Sequence, residues 1–134
     1  MSRPQSAEGT NESPRLICVV DDDASVRGAV CALLRSVRFD CRDFASGADF
    51  LESGMAAKAD CLIVDLRMKG MSGLELQQAL VQAGVKLPTV FISAHGDDDA
   101  RARAVGAGAL GFLSKPFEEQ ALLGFVRAAL DSRS

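Results

Sequence analysis

Cys61-Leu62-Ile63-Val64-Asp65-Leu66-Arg67-Met68-Lys69-Gly70-Met71-Ser72-Gly73 is the stretch on which the fold turns. Four apolar, strand-prone residues run into a single carboxylate, and a loop containing glycine and methionine follows. A strand buried on both faces of a parallel sheet reads as such an unbroken apolar run rather than as alternation. An acid closing the run falls at the rim of the sheet, where open α/β folds place their sites. Taken alone, Asp65 reads as readily as a plain helix cap or solvated loop residue as it does as a functional one. The rest of the chain decides between these.

Upstream, residues 16–20 form a short apolar strand that stops at Asp21-Asp22-Asp23. Val26, Val30, Leu33, Leu34 and Val37 then recur at helical spacing, with Arg27, Arg35 and Arg38 elsewhere around that helix. Residues 40–44 read as a second strand and 47–52 as a helix capped by Ser46, with 53–58 a loop or frayed end. Downstream, Leu74, Gln77, Leu80 and Val81 mark a helix that stops at Gly84. Pro88 introduces a strand over 89–92, followed by Ser93-Ala94-His95-Gly96. The Ala- and Arg-rich segment 97–105 is predicted as a short, loosely held helix, because Gly106 and Gly108 follow it closely. A strand over 111–114 leads to Lys115-Pro116, with Pro116 placed near the start of a last helix over 118–131. That helix carries Leu122, Phe125, Val126, Ala129 and Leu130 on one face. Five strands alternating with five helices imply a parallel sheet with right-handed crossovers and helices on both faces.

A chain of 134 residues has room for one core. The reading is a single domain over 15–131, between a flexible tail at 1–14 and a short tail at 132–134, with no output domain attached. A hydrophobic share of 48% with 25% charged residues is that of a soluble globular protein. The net charge of −3 excludes a general nucleic-acid binder, which would carry a basic stripe. No apolar run approaches the roughly 20 residues that span a bilayer, and the polar N-terminus lacks a secretory centre. A cytoplasmic protein without membrane contact is expected. Cys18, Cys31, Cys41 and Cys61 include no C-x-x-C pair, so all four are expected as unpaired core residues of a reducing compartment.

Parallel topology brings the strand ends to one rim: Asp21 and Asp22 from the first strand, Asp65 from the third, Ser93 from the fourth and Lys115 from the fifth. Three carboxylates at one point repel unless a cation intervenes. An all-oxygen set without histidine or cysteine suits a hard ion such as Mg²⁺. Lys115 supplies a point charge and Ser93 a hydroxyl, so the pocket suits a phosphoryl group. Asp65 is then the nucleophile, since a carboxylate can form an acyl phosphate. That reading requires Asp65 to lie close to Asp21 and Asp22 and to keep its oxygens open to solvent.

The motifs Val19-Val20-Asp21-Asp22-Asp23, Val64-Asp65-Leu66-Arg67-Met68 with Met71-Ser72-Gly73, Ile92-Ser93-Ala94-His95-Gly96-Asp97 and Lys115-Pro116-Phe117 occur in that order. Together they resemble a response-regulator receiver domain, of the type often found before a helix-turn-helix output domain. The resemblance implies a flavodoxin-like, doubly wound (βα)5 fold with strand order 2-1-3-4-5. It implies that Asp65 is the phospho-acceptor, that Asp22 ligates Mg²⁺ (or Mn²⁺) directly and Asp21 through water, and that the backbone carbonyl of Arg67 is a third protein ligand. Ser93 and Lys115 match the residues that meet the new phosphate, and Phe112 stands at an aromatic switch position. Such a domain takes its phosphoryl group from a histidine kinase or histidine phosphotransfer protein. It catalyses its own phosphorylation and dephosphorylation rather than acting as a conventional enzyme. Phosphorylation in the family alters the face of the fourth helix, fifth strand and fifth helix, often into a homodimer surface. Lys69 stands where this loop commonly has proline, which implies a looser loop, an added cation near the phosphate and an altered phosphoryl lifetime.

Plainer roles stand beside these. Asp23 or Ser25 suits the cap of the first helix, leaving Asp21 and Asp22 free. His95, the one histidine, reads as a loop-packing residue, and residues 97–99 as the acidic start of a helix. Arg101 and Arg103 read as a solvated face. A competing reading is a phosphohydrolase with Asp21 as nucleophile, since Asp21-Asp22-Asp23-Ala24-Ser25 superficially fits a D-x-D-x-S/T start. A third is an interaction module on the same fold that needs no phosphate.

Overall fold

The computed structural model describes residues 14–94 and 98–133. The expected tail apart from Pro14, the segment His95-Gly96-Asp97 and Ser134 lie outside the described residues. Five strands, β1 (Leu16–Val20), β2 (Asp40–Phe44), β3 (Cys61–Asp65), β4 (Thr89–Ala94) and β5 (Gly111–Lys115), form one parallel sheet in the order β2-β1-β3-β4-β5. They alternate with α1 (Ala24–Ser36), α2 (Gly47–Ser53), α3 (Gly73–Gln82), α4 (Asp98–Gly106) and α5 (Glu119–Arg133), and a 3₁₀ turn over Met55–Ala57 occupies the stretch expected as a loop or frayed end. The predicted fold class and strand order are those observed.

Period-two alternation divides the core between the two faces of the sheet. Ile17, Val19, Cys61, Ile63, Val90 and Ile92 point to the face covered by Val30 and Leu34 of α1 and by Leu122 and Val126 of α5. Cys18, Val20, Leu62, Val64 and Phe91 point to the other face, against Phe50 of α2, Leu76 and Leu80 of α3, and Ala100 and Ala104 of α4. Every residue of β3 is buried, which is why its sequence shows no alternation. The edge strand β2 has polar residues at three of its five positions and buries Cys41.

Local signals set the helix ends. Asp23, not Ser25, caps α1, its carboxylate accepting from the N–H groups of Ser25 and Val26. Ser46 caps α2, and Ser72 closes a reciprocal capping box with Glu75 at α3. Gly84 takes the left-handed conformation just past α3, as its sequence position predicts. The helix α4 buries only two alanines, in keeping with the loose hold expected for it. Pro116 lies outside α5, which starts at Glu119, so its placement near the first helical position is corrected; the Lys115–Pro116 peptide is cis.

The cysteines need a second correction. Cys31 of α1 and Cys41 of β2 form a disulfide, with Cα atoms 5.6 Å apart, while Cys18 and Cys61 remain as buried thiols. The helix α1 lies directly against β2, and sequence spacing carries no record of that contact. Burial pushes the thiols of Cys18 and Cys61 up to about 12, so neither is reactive in the fold. Denatured without reductant, the chain is expected to show two maleimide-reactive thiols, and four after reduction. Reduction should lower stability by about 2–3 kcal/mol, the order for closing a loop of this length. Four thiols without reductant would mean that the bond does not form.

Candidate functional site

The parallel strands deliver their C-terminal residues to one rim, and the register fixes which ones meet. Asp65 ends β3 opposite Ile92, and Lys115 ends β5 opposite Ala94. Ser93, fully buried, lies between those two positions on β4 and pairs with Ser114. Asp21 and Asp22 follow β1 directly.

Asp21, Asp22 and Asp65 each offer a carboxylate oxygen, and these lie within 4.8 Å of one another. One oxygen of each acid accepts a backbone N–H. Asp21 Oδ1 takes that of Asp23 at 2.9 Å, and Asp65 Oδ1 that of Arg67 at 3.1 Å. Asp22 Oδ2 takes that of Lys69 at 3.2 Å. The second oxygens of the two buried acids share Lys115, whose Nζ lies 3.0 Å from Asp65 Oδ2 and 3.4 Å from Asp21 Oδ2. Asp22 is exposed, and the Asp65 side chain keeps 10% of its surface open. The cluster is therefore reachable from solvent.

The electrostatics are those of an acid pair balanced by one ammonium. Burial raises the pKa of the Asp21 carboxyl; the Asp23 N–H opposes this, and the charge of Asp65 adds to it. Burial alone would lower the pKa of Lys115, but its hydrogen bonds and charge contacts with Asp65 and Asp21 outweigh that and raise it. A lysine held protonated between two carboxylates stands where charge must be compensated, and a multivalent cation or an incoming anion would each rearrange it.

Several supporting contacts have no signature in the sequence. Arg27 Nη1 donates to the carbonyl of Asp21 at 2.7 Å while its Nε pairs with Asp43 at 3.0 Å, bracing the loop after β1 against the edge strand. Gly73 approaches the backbone so closely that a Cβ there would sit 2.6 Å from the carbonyl oxygen of Asp65. Arg101 and Arg103 are exposed, as expected of a solvated face, and the guanidinium of Arg101 also lies 5.5 Å from the ring centre of Phe112. Phe112 itself packs partly buried beside Phe91. His95 and Asp97 lie outside the described residues; Asp98 and Asp99 do form an acidic first turn of α4. Asp23 is engaged in capping α1, which leaves the D-x-D reading without its second acid.

A doubly wound α/β domain with an acid cluster and a lysine at its strand ends is the class defined by this geometry. The family model for the response regulator receiver domain matches residues 17–127, and the chain belongs to that family. The transcriptional regulatory protein TdiR of Thauera aromatica is 48% identical over 114 residues, covering 85% of this chain and 50% of that protein. FixJ of Azorhizobium caulinodans is 38% identical over 112 residues, covering 84% and 53%. Among solved structures, the response regulator StyR superimposes with a TM-score of 0.82 at 47% identity, covering 88% of this chain and 60% of that one. FixJ-N does so at 0.81 and 30% identity, covering 90% and 96%. The chain spans about half the length of the curated relatives it matches. Phosphoryl acceptance within two-component systems is the standard function of the family. No described helix is long and apolar enough to cross a membrane.

Proposed function

We propose that the chain accepts a phosphoryl group on Asp65 from the phosphohistidine of a histidine kinase or histidine phosphotransfer protein, in the cytoplasm. The supporting observation is the position of the Asp65 carboxylate, partly open to solvent, with Lys115 at 3.0 Å and two further acids in reach. An Asp65 oxygen attacks phosphorus as the P–N bond to the donor imidazole breaks, leaving an acyl phosphate. The receiver unit starts at 15 and runs to 133 rather than 131, because α5 continues to Arg133.

The donor set suits Mg²⁺ or Mn²⁺: three carboxylate oxygens within 4.8 Å, with no histidine or cysteine among them. Asp22 and Asp65 would hold the ion directly, Asp21 through water, and the carbonyl of Arg67 would complete the protein ligands. When bound, the ion neutralises charge on the transferring group. Lys115, already within reach of Asp65, pairs with the phosphoryl oxygens, and the buried hydroxyl of Ser93 donates to them.

Partner access is supported by an apolar groove of about 490 Å³ beside the site, where Val26, Ala29 and Leu33 of α1 face Pro116 and Phe117. Lys115 lines it as well, so a docked helix carrying phosphohistidine would lie against the residue that meets the phosphate. The response passes through Phe112 and α4 to the face formed by α4, β5 and α5. This helix is held by two small side chains beside a cavity of about 680 Å³, which leaves it room to shift. Val105 and Leu110, 60% and 37% exposed, supply apolar surface there for a homodimer.

Intact-protein mass spectrometry after acetyl phosphate and Mg²⁺ tests the assignment. Wild type is expected to gain one hydroxylamine-labile phosphate, and Asp65→Ala none. Equal labelling of that variant would place the acceptor elsewhere.

A further inference from the structure

Two of the three acids are steadied from within their own loops, and the third is not. Asp21 and Asp65 each accept the N–H two residues further along, a local turn that aspartate forms readily. Both are buried and both meet Lys115. Asp22 is exposed, and its carboxylate is held by an N–H that is 47 residues away in sequence, that of Lys69. The intervening turn is shaped for this contact: Gly70 takes the left-handed conformation, and Gly73 N–H closes back on the Leu66 carbonyl at 3.0 Å.

We infer that the Lys69 backbone N–H is a positioning group for Asp22, holding that exposed carboxylate in the acid cluster before a divalent cation arrives. The inference rests on the proposed metal role of the cluster. An exposed aspartate otherwise distributes among rotamers, and cation binding must first collect them into one. A donor from a second loop does this in advance and ties the β3–α3 connection to the β1–α1 connection. Any residue except proline supplies the N–H. The Lys69 side chain acts separately: it is exposed, and its charge opposes a cation by an amount that salt screens. Lysine at this position thus supplies a tie to Asp22 that proline could not make, separate from the loosening that the loss of a proline ring implies.

Mn²⁺ binding to the full unphosphorylated chain, followed by the electron paramagnetic resonance of free Mn²⁺ at fixed ionic strength, separates the two effects. Lys69→Ala keeps the N–H and should bind within about two-fold of wild type; Lys69→Pro removes it and should bind about three- to ten-fold more weakly, the order for one ordinary net hydrogen bond. On an Asp22→Ala background, which removes the acceptor, the proline change should add nothing further, which a general distortion of the loop would not produce. Equal affinity of the proline and alanine variants overturns the inference. Where Lys69→Pro does not fold, by circular dichroism and melting, the amide resonance of Lys69 in ¹⁵N-labelled wild type and Asp22→Ala gives the answer. An upfield shift and faster solvent exchange on losing Asp22 support the contact, and an unmoved resonance overturns it. Failure of wild type to bind Mn²⁺ at all would instead overturn the metal reading of the cluster, and with it the positioning role of Lys69.

Discussion

Gly73→Ala is expected to destabilise the protein by about 3 kcal/mol and to slow labelling by acetyl phosphate, although alanine is the better helix former. Gly73 is the first residue of α3, where propensity alone predicts a gain of up to about 1 kcal/mol. The added Cβ would lie 2.6 Å from the Asp65 carbonyl oxygen and 3.1 Å from the Leu66 Cα. Both neighbours are backbone atoms of a buried strand end, so neither can rotate away. The sterics exceed the propensity term, and the strain falls on the residue that carries the candidate acceptor. Urea denaturation gives the first effect and the rate of phosphate incorporation the second. A variant as stable as wild type would show that the Asp65–Leu66 backbone yields more easily than its burial implies.

Asp21→Asn is expected to do the opposite in the absence of metal: the variant should melt higher than wild type at pH 7. The pKa of the Asp21 carboxyl is raised from 3.8, chiefly by burial. An acid whose folded value lies above its unfolded value favours the fold below the unfolded value and loses that contribution as pH rises through the folded one. At neutral pH the metal-free fold therefore bears the cost of a second buried carboxylate against one lysine. Asparagine removes that charge, so the gain in melting temperature should shrink as pH falls toward about 4. With Mg²⁺ the order should narrow or reverse. A ligand at a hundredfold excess over its Kd adds about 2.7 kcal/mol to a protein that binds it, and the variant lacks one of the acids that make the site. Melting curves with and without Mg²⁺ across this pH range provide the check. A variant that melts lower than wild type at pH 7 without metal would mean that the Lys115 contact outweighs the burial of Asp21.

The elements most legible in the chain are those whose signals are local. β1 and β3 run over the residues read from their apolar content and bounding acids, β2 runs over 40–44 as expected, and Ser46 and Gly84 do what their residue types predict. β4 and β5 each run past their apolar segments, to Ala94 and Lys115, because Ser93 pairs with Ser114 and Ala94 with Lys115. Strand pairing, not side-chain polarity, ends these two. The acid cluster was legible too, since a parallel sheet sends every strand end to the same rim. Its proximity follows from topology alone, without any distance being encoded in the motif.

What escaped the sequence were contacts between segments that only the folded packing brings together. The pairing of Cys31 with Cys41 depends on α1 lying against β2, and the stacking of Arg101 on Phe112 depends on how α4 crosses β5. Arg27 reaches Asp21 and Asp43 from two different elements. The Lys69 N–H belongs to a group every non-proline residue has, so no residue pattern could have pointed to Asp22 as its partner. The sequence by itself determined the order of elements, a parallel sheet and which carboxylates share its rim, because periodicity and turn chemistry act over a few residues; the strand order came from the resemblance to receiver domains. Only the tertiary structure decided how Lys115 divides itself between two acids and what holds the third, because those are matters of ångströms between chain segments whose separation along the sequence says nothing of their distance in space.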